Sequence, residues 1–159
     1  MVWTSNVLVV ASVTATSTEL LQALQQRSQS SATSVTLVVP ATPFGEGRNA
    51  ARERLREALE LLRATGLNAD GHLGNYDPMV AVTDTWDPNR YDEIIVSTLP
   101  ASVSKWLGAD LPRRIERHTG AIVTHVVAIP PKAEPAAVSV TKREKLGVVA
   151  ALSALTWGS

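Results

Sequence analysis

The residues Asp92-Glu-Ile-Ile-Val-Ser-Thr-Leu-Pro100 open the stretch of sequence that decides the fold. After a loop, the stretch continues as Asp110-Leu-Pro-Arg-Arg-Ile-Glu-Arg-His-Thr-Gly120 and ends as Ala121-Ile-Val-Thr-His-Val-Val127. This pattern predicts a buried strand, a loop of small polar residues, a helix and a second buried strand. Ligands of parallel α/β sheets bind at the carboxyl ends of the strands, so a functional site is expected first in the loop 97–109.

The residues before this stretch show the same alternation of apolar strands and amphipathic helices. Strands are predicted at 7–11 and 35–39, with a weaker edge strand at 67–74. Predicted helices begin at a capping box formed by Thr16 and Glu19, at about Arg48 and at the pair Asp77-Pro78, where Asp77 is the N-cap. The second of these helices runs to Thr65 before Gly66, and the third ends at Trp86.

The order of these elements defines the fold class. Strands that alternate with helices are joined by right-handed crossovers into a parallel sheet covered on both faces. We therefore predict a three-layer, Rossmann-like α/β domain with a five-stranded sheet in the order 3-2-1-4-5. The loops after Ala11 and Val96 then flank the point at which the strand order reverses. In the helix that follows Asp110, its N-cap, the residues Leu111, Ile115 and His118 are expected to face inward.

Composition excludes several classes of function. The chain has 159 residues, enough for one domain with one core. Its 15 basic and 15 acidic residues balance, which argues against a nucleic-acid binder. There is no cysteine, so disulfides, thiol catalysis and thiolate metal sites are excluded. The apolar runs at 7–11 and 146–157 are shorter than the ~20 residues of a membrane span, and we expect a soluble, cytoplasmic protein.

The character of the sequence changes after Ala128. We predict an α/β domain over 1–128, and a proline-rich linker or arm with a short C-terminal helix over 129–159. Three basic residues, Lys142, Arg143 and Lys145, precede the apolar part of that helix. Packing of this helix on the domain or on a second subunit is favoured over a membrane-surface anchor.

Hydroxyl side chains follow the predicted carboxyl ends of several strands, together with one lysine. The set is Ser12, Thr14, Thr16, Thr42, Ser97, Thr98, Ser102, Ser104 and Lys105. These side chains are expected to line the crevice as a pocket for a small polar or phosphorylated ligand. The alternative is that they cap helices and satisfy the backbone of the loops.

Other polar residues do not form a catalytic pattern. The histidines His72, His118 and His125 do not have metal-ligand spacing, and His125 is interpreted as a hydrogen-bonded structural residue. Neither a nucleophile elbow nor a carboxylate pair is evident. Arg113, Arg114 and Arg117, with Glu116 among them, are interpreted as a solvated helix face.

Three passages resemble the universal stress protein family, within the adenine nucleotide α-hydrolase-like fold. They are Val7-Leu-Val-Val-Ala-Ser12, Asn75-Tyr-Asp-Pro78, and Tyr91-Asp-Glu-Ile-Ile-Val-Ser97 with the helix and strand that follow it. The resemblance extends over about 6–127 and implies the fold predicted above. It also implies a homodimer, because relatives commonly dimerise through the last strand.

The sequence departs from the nucleotide-binding pattern of that family. ATP-binding members carry G-x2-G-x9-G-[S/T] after the fourth strand, whereas the loop here has the single glycine Gly108 and has Ala109-Asp110 in place of the final pair. Ser12 stands where the family has an aspartate that reads adenine. A carboxylate at Asp110 repels a triphosphate. We therefore predict a non-enzymatic binding or regulatory protein of the universal stress protein type, without a cofactor, that is not a conventional ATP binder.

Two alternatives stay open. In the first, the protein binds ATP or AMP through altered contacts, with Ser12 near the base and Thr98, Ser102, Ser104 and Lys105 toward the phosphates. In the second, it is a module that docks on a partner through its C-terminal helix.

Overall fold

The structure, a computed structural model, describes residues 4–129, and within them successive strands are joined by one helix, or by two between the last two strands. The strands are β1 (Thr4–Val10), β2 (Ala32–Pro40), β3 (Asn68–Gly74), β4 (Glu93–Thr98) and β5 (Val123–Val127). The helices are α1 (Thr18–Ser30), α2 (Glu46–Ala64), α3 (Pro78–Thr85), α4 (Lys105–Gly108) and α5 (Leu111–Thr119).

The strands form one parallel sheet in the order β3-β2-β1-β4-β5, which confirms the predicted class and strand order. In the central strand, Val7 pairs with Val35 of β2 on one side and with Glu93 of β4 on the other. The predicted weak strand is β3, and it lies at an edge of the sheet. The strand order reverses between β1 and β4, so their carboxyl ends border the crevice.

Two apolar layers cover the sheet because successive residues of a strand point to opposite faces. Val7 and Val9 of β1 pack with α1 and α2, whereas Leu8 and Val10 pack with α3 and α5. All four valine and leucine side chains are fully buried. Burial on both faces explains why β1 is a continuous apolar run rather than an alternating one.

Some predicted boundaries are wrong by one or two residues. The N-cap of α1 is Ser17, whose Oγ accepts a hydrogen bond from Leu20 N at 3.2 Å, and not Thr16, which is exposed in the preceding turn. Helix α2 begins at Glu46, two residues before the predicted start. Helix α4 was not predicted at all, because four residues are too few to show a helical period.

Helix α5 has the predicted apolar stripe in part. Leu111 and Ile115 are buried, and Gly120 ends the helix with φ at +71°, where a side chain is disfavoured. His118 is exposed, so the prediction that it faces inward is wrong. His118 follows Ile115 by three residues. Because Leu111 and Ile115 occupy the buried face of the helix, His118 lies at the edge of that face.

A charged cluster fastens α1 to the sheet at the amino ends of β4 and β5. Arg27 donates from Nε to Glu93 Oε1 at 2.6 Å, and from Nη2 to Glu93 Oε2 at 3.0 Å and Thr124 Oγ1 at 3.2 Å. Thr124 in turn donates to Glu93 Oε2 at 3.1 Å. The cluster is partly buried and lies at the opposite end of the sheet from the crevice.

The predicted linker and C-terminal helix lie, except for Ile129, outside the described residues. Within residues 4–129, no helix is both long enough and apolar enough to cross a membrane.

Candidate functional site

A cavity of about 150 Å³ lies between the carboxyl ends of β1 and β4. The residues that line it are Ser12, Val13, Thr14, Ser97, Thr98, Leu99, Val103, Ser104, Lys105 and Trp106. The loop before α1 supplies one wall, the end of β4 supplies the floor, and the segment that leads into α4 supplies the other wall. The cavity therefore occupies the crevice at which the strand order reverses.

The structure brings together six of the residues proposed from sequence. They are Ser12, Thr14, Ser97, Thr98, Ser104 and Lys105. The other three, Thr16, Thr42 and Ser102, are exposed and do not line the cavity. The Thr42 hydroxyl instead donates to Phe44 O at 3.3 Å, within the loop that follows β2.

The apolar wall of the cavity was missed by sequence reasoning. It consists of Val13, Leu99, Val103 and Trp106, of which Val103 is 60% exposed. The signal in the sequence was Trp106, an aromatic residue within a loop of small polar residues. Its place in the cavity wall depends on α4, the short helix that carries it and that the sequence pattern does not predict.

The floor of the cavity contains a buried pair of hydroxyls. Thr14 Oγ1 and Ser97 Oγ are 2.7 Å apart, and both residues are buried. One of the two donates to the other, so a single hydroxyl hydrogen of the pair is left for a ligand. The pair also joins the loop before α1 to β4, two segments that are 83 residues apart in sequence.

The hydroxyl of Thr98 has its hydrogen engaged. Thr98 Oγ1 donates to Leu99 O at 2.8 Å and lies 2.7 Å from His125 Nε2. Since the hydroxyl has one hydrogen, Nε2 is the donor of the second bond. Burial lowers the pKa of His125 below 6.5, which favours the neutral imidazole, and the hydrogen bond to Thr98 places its proton on Nε2. The prediction of a hydrogen-bonded structural histidine is confirmed, and Thr98 can offer a ligand only a lone pair.

The wall formed by α4 supplies both a hydroxyl and a charge. Ser104 Oγ is the N-cap acceptor for Leu107 N at 3.3 Å, which leaves the Ser104 hydroxyl hydrogen available. Lys105 is exposed and joins none of the ion pairs within the described part of the chain. The cavity thus presents several hydroxyl donors, hydroxyl oxygens that can accept, and one positive charge, an arrangement that suits a small polar or singly anionic group.

Asp110 does not act as predicted. It precedes α5, but its backbone is left-handed with φ at 56°, and its side chain accepts no capping hydrogen bond. Asp tolerates this left-handed conformation better than most residues do. Its Oδ2 lies 3.9 Å from Arg113 Nε, and the residue does not line the cavity. Asp77, by contrast, is the predicted N-cap and accepts from Met79 N at 2.9 Å.

Two of the larger grooves on the surface of the same domain lie beside α3. One, of about 450 Å³, is bordered by the loops after β2 and β3 and by α3, with Arg48, His72 and Asp84 in its lining. The other, of about 480 Å³, lies between α3 and α5. Residues 4–129 contain no group of three or more His, Asp or Glu side chains arranged to hold a metal ion.

The strand order, the helices on both faces and the cavity at the switch point define a three-layer, Rossmann-like α/β protein. A universal stress protein from Archaeoglobus fulgidus in complex with dAMP superposes with a TM-score of 0.58 at 17% identity, over 79% of this chain and 99% of the other. A second structure of a universal stress protein from that organism has a TM-score of 0.58 at 16% identity, over 79% and 95%. A universal stress protein in complex with cAMP has a TM-score of 0.53 at 18% identity, over 80% and 99%.

No family model matches the chain, and no curated protein matches it. The structural neighbours are universal stress proteins, as the sequence resemblance indicated, and at these identities they establish the fold.

Proposed function

We propose that the protein is a non-enzymatic binding or regulatory protein whose ligand site is the cavity between β1 and β4. The observation that carries the proposal is the convergence of Ser12, Thr14, Ser97, Ser104 and Lys105 on one concave site at the switch point. Three separate segments of the chain contribute these side chains, so the arrangement depends on the complete fold. No side chain of this lining is a carboxylate or imidazole suited to act as a general base.

The size of the cavity supports a ligand smaller than ATP. Pockets for drug-sized ligands usually measure ~300–1,000 Å³, whereas this cavity measures about 150 Å³. A cavity of that volume holds a molecule of about the size of benzene. The single cation Lys105 is also a poor match for a triphosphate, and the loop contains only one glycine to let the backbone approach phosphate groups. We therefore propose that the protein is not a conventional ATP binder.

A second candidate function is the binding of a nucleoside monophosphate through altered contacts. Two of the structural neighbours are described as complexes with dAMP and with cAMP. A nucleotide bound here would place one of its moieties inside the cavity. The rest would lie against Val103 and Trp106 of the apolar wall, with Lys105 near the single phosphate.

The proposal includes a soluble, cytoplasmic homodimer that forms through β5. This strand is at an edge of the sheet, so one side of its backbone has no partner strand within the described chain. The nearby apolar residues Ile122, Val127 and Ile129 are 70%, 40% and 71% exposed. An apolar edge of this kind is suited to pairing with a second copy.

Thermal unfolding of the full-length protein in the presence of small polar ligands and of ATP, AMP and cAMP, with and without Mg²⁺, tests the proposal. A ligand at 100 times its Kd adds about 2.7 kcal/mol of stability. We expect no shift with ATP. A shift with AMP or cAMP would favour the second candidate, and a large shift with ATP would overturn the first.

Variants locate whatever binding is detected. Ser104→Ala and Lys105→Gln should weaken a ligand held in the cavity. Ser102→Ala is the matched control, since Ser102 is an exposed hydroxyl of the same loop that does not line the cavity. Unchanged binding in Ser104→Ala and Lys105→Gln would place the ligand elsewhere, and equal loss in all three variants would mean that the effect is not specific to the cavity.

A further inference from the structure

The groove between α3 and α5 has a strongly one-sided charge. Its lining consists of Met79 and Thr83 from α3, and Arg114, Arg117 and His118 from α5. The three α5 residues have the spacing i, i+3 and i+4, which places them on one face of the helix. The lining contains no carboxylate.

The acidic residue of α5 lies on a different side of the helix. Glu116 lines a separate groove with Asp110, Arg113 and His125, next to β5. Arg114 and Arg117 are exposed, as predicted for a solvated face, but they line a groove without Glu116, so the structure separates charges that the sequence interleaves. Arg113 belongs to the mixed side, 3.9 Å from Asp110.

The arginines of the groove are not used to hold the domain together. The ion pairs within residues 4–129 involve Arg27, Arg56, Arg63 and Arg113. Arg114 and Arg117 form none of these pairs and are exposed. Cations near a helix C-terminus complement the helix dipole, which accounts for Arg117 and His118. The dipole accounts neither for Arg114, a turn earlier, nor for the concave site that the three residues share.

We infer that this groove binds a small polyvalent anion of the phosphate class. Its volume of about 480 Å³ lies within the ~300–1,000 Å³ range of small-molecule sites. Guanidinium groups donate paired hydrogen bonds that match the oxygen atoms of phosphate, and two such groups on successive turns can hold two phosphates or one bridging phosphate. The groove lies between α3 and α5 and shares no lining residue with the cavity between β1 and β4, so the two sites are separate.

Calorimetric titration of the full-length protein with inorganic pyrophosphate at low ionic strength tests the inference. Saturable binding is expected, and it should weaken as salt is added. Arg114→Gln and Arg117→Gln should each lower the affinity by about tenfold, the effect of losing a charge-assisted hydrogen bond. The matched control Arg113→Gln removes the same charge from the same helix on its other side and should change the affinity less than about twofold.

Absence of pyrophosphate binding would overturn the inference. Equal losses of affinity in Arg113→Gln and Arg114→Gln would do the same, because only the net charge of the protein would then matter. A glutamate-rich peptide that binds more tightly than pyrophosphate would also overturn it, in favour of a protein partner. Each substituted residue is exposed, so the variants should unfold at the same temperature as the wild type, which would show that the fold is intact. A ligand of the β1–β4 cavity should bind Arg114→Gln normally, which separates this test from that of the proposed function.

Discussion

At the scale of single residues, Tyr91 shows a polar atom that the core does not satisfy. The side chain is 4% exposed, its ring stacks on Trp86 at a centroid distance of 6.2 Å, and its hydroxyl has no hydrogen-bond partner in the described structure. Burial without a partner costs a hydroxyl its hydration.

Tyr91→Phe should therefore raise the free energy of unfolding by about 1 kcal/mol, because the stacked ring stays and the unsatisfied hydroxyl is removed. Urea denaturation measures the change. Tyr76→Phe is the control, since Tyr76 is 67% exposed and should show no difference. A clear loss of stability in Tyr91→Phe would show that the hydroxyl does have a partner.

His125, the hydrogen-bond partner of Thr98, makes the stability of the protein depend on pH. Burial lowers its pKa in the folded state below the ordinary value of 6.5, so the unfolded chain binds the proton more readily. Stability contributed by the neutral imidazole is present above pH 6.5 and is lost as the pH falls below that value. His125→Gln keeps an N–H donor for Thr98 but does not titrate.

We expect the difference in unfolding free energy between the wild type and His125→Gln to depend on pH only below about 6.5. Denaturation at several pH values on either side of that point measures it. If the unfolding free energies of the two proteins changed in parallel with pH, burial would not lower the pKa of His125.

At the scale of elements, β3 approaches its neighbours closely at Gly71. A Cβ added at this residue would lie 2.4 Å from Leu37 O of β2 and 2.9 Å from Leu55 Cδ1 of α2. The backbone oxygen cannot move without disturbing the pairing of β2 and β3.

Gly71→Ala should lower the free energy of unfolding by about 1–3 kcal/mol, the usual cost of overpacking a filled site. Gly108→Ala is the matched control, because a Cβ there meets nothing within 4 Å. Chemical denaturation compares the two. Equal stability would mean that β3 can shift away from β2 at little cost.

The sequence predicted the buried strands better than it predicted the helix boundaries. The apolar runs of β1 and β4 identified buried strands, because a strand covered on both faces has no polar side. The start of α1 was misplaced because Thr16 and Ser17 are both competent caps, and only the preceding turns select Ser17. Helix α4, and with it the position of Trp106 in the cavity wall, depends on four residues and on contacts between distant segments, which local patterns do not contain.

At the scale of the whole molecule, the two edges of the sheet have different characters. Strand β3 carries three exposed polar residues, Asn68, Asp70 and His72, whereas the exposed residues of β5 are His125 and the apolar Val127. Polar residues and charges on an edge discourage pairing with another sheet. If the proposed dimer forms, β5 is therefore its expected interface.

Val127→Lys should convert such a dimer to a monomer, because it places a charge on the apolar edge. Asn68→Lys introduces the same charge at the opposite edge and should leave the assembly unchanged. Sedimentation velocity of the full-length proteins measures both. A wild-type monomer, or dissociation by Asn68→Lys alone, would contradict the assignment.

The cluster of Arg27, Glu93 and Thr124 has a consequence for where the chain tolerates substitution. It secures α1, β4 and β5 at the amino end of the sheet, far from the side chains that line the cavity. Substitution of a cavity residue at the carboxyl end, such as Ser12, is therefore expected to leave this cluster intact. The fold that the chain shares with its structural neighbours at 16–18% identity is thus fastened at the end of the sheet that does not carry the cavity.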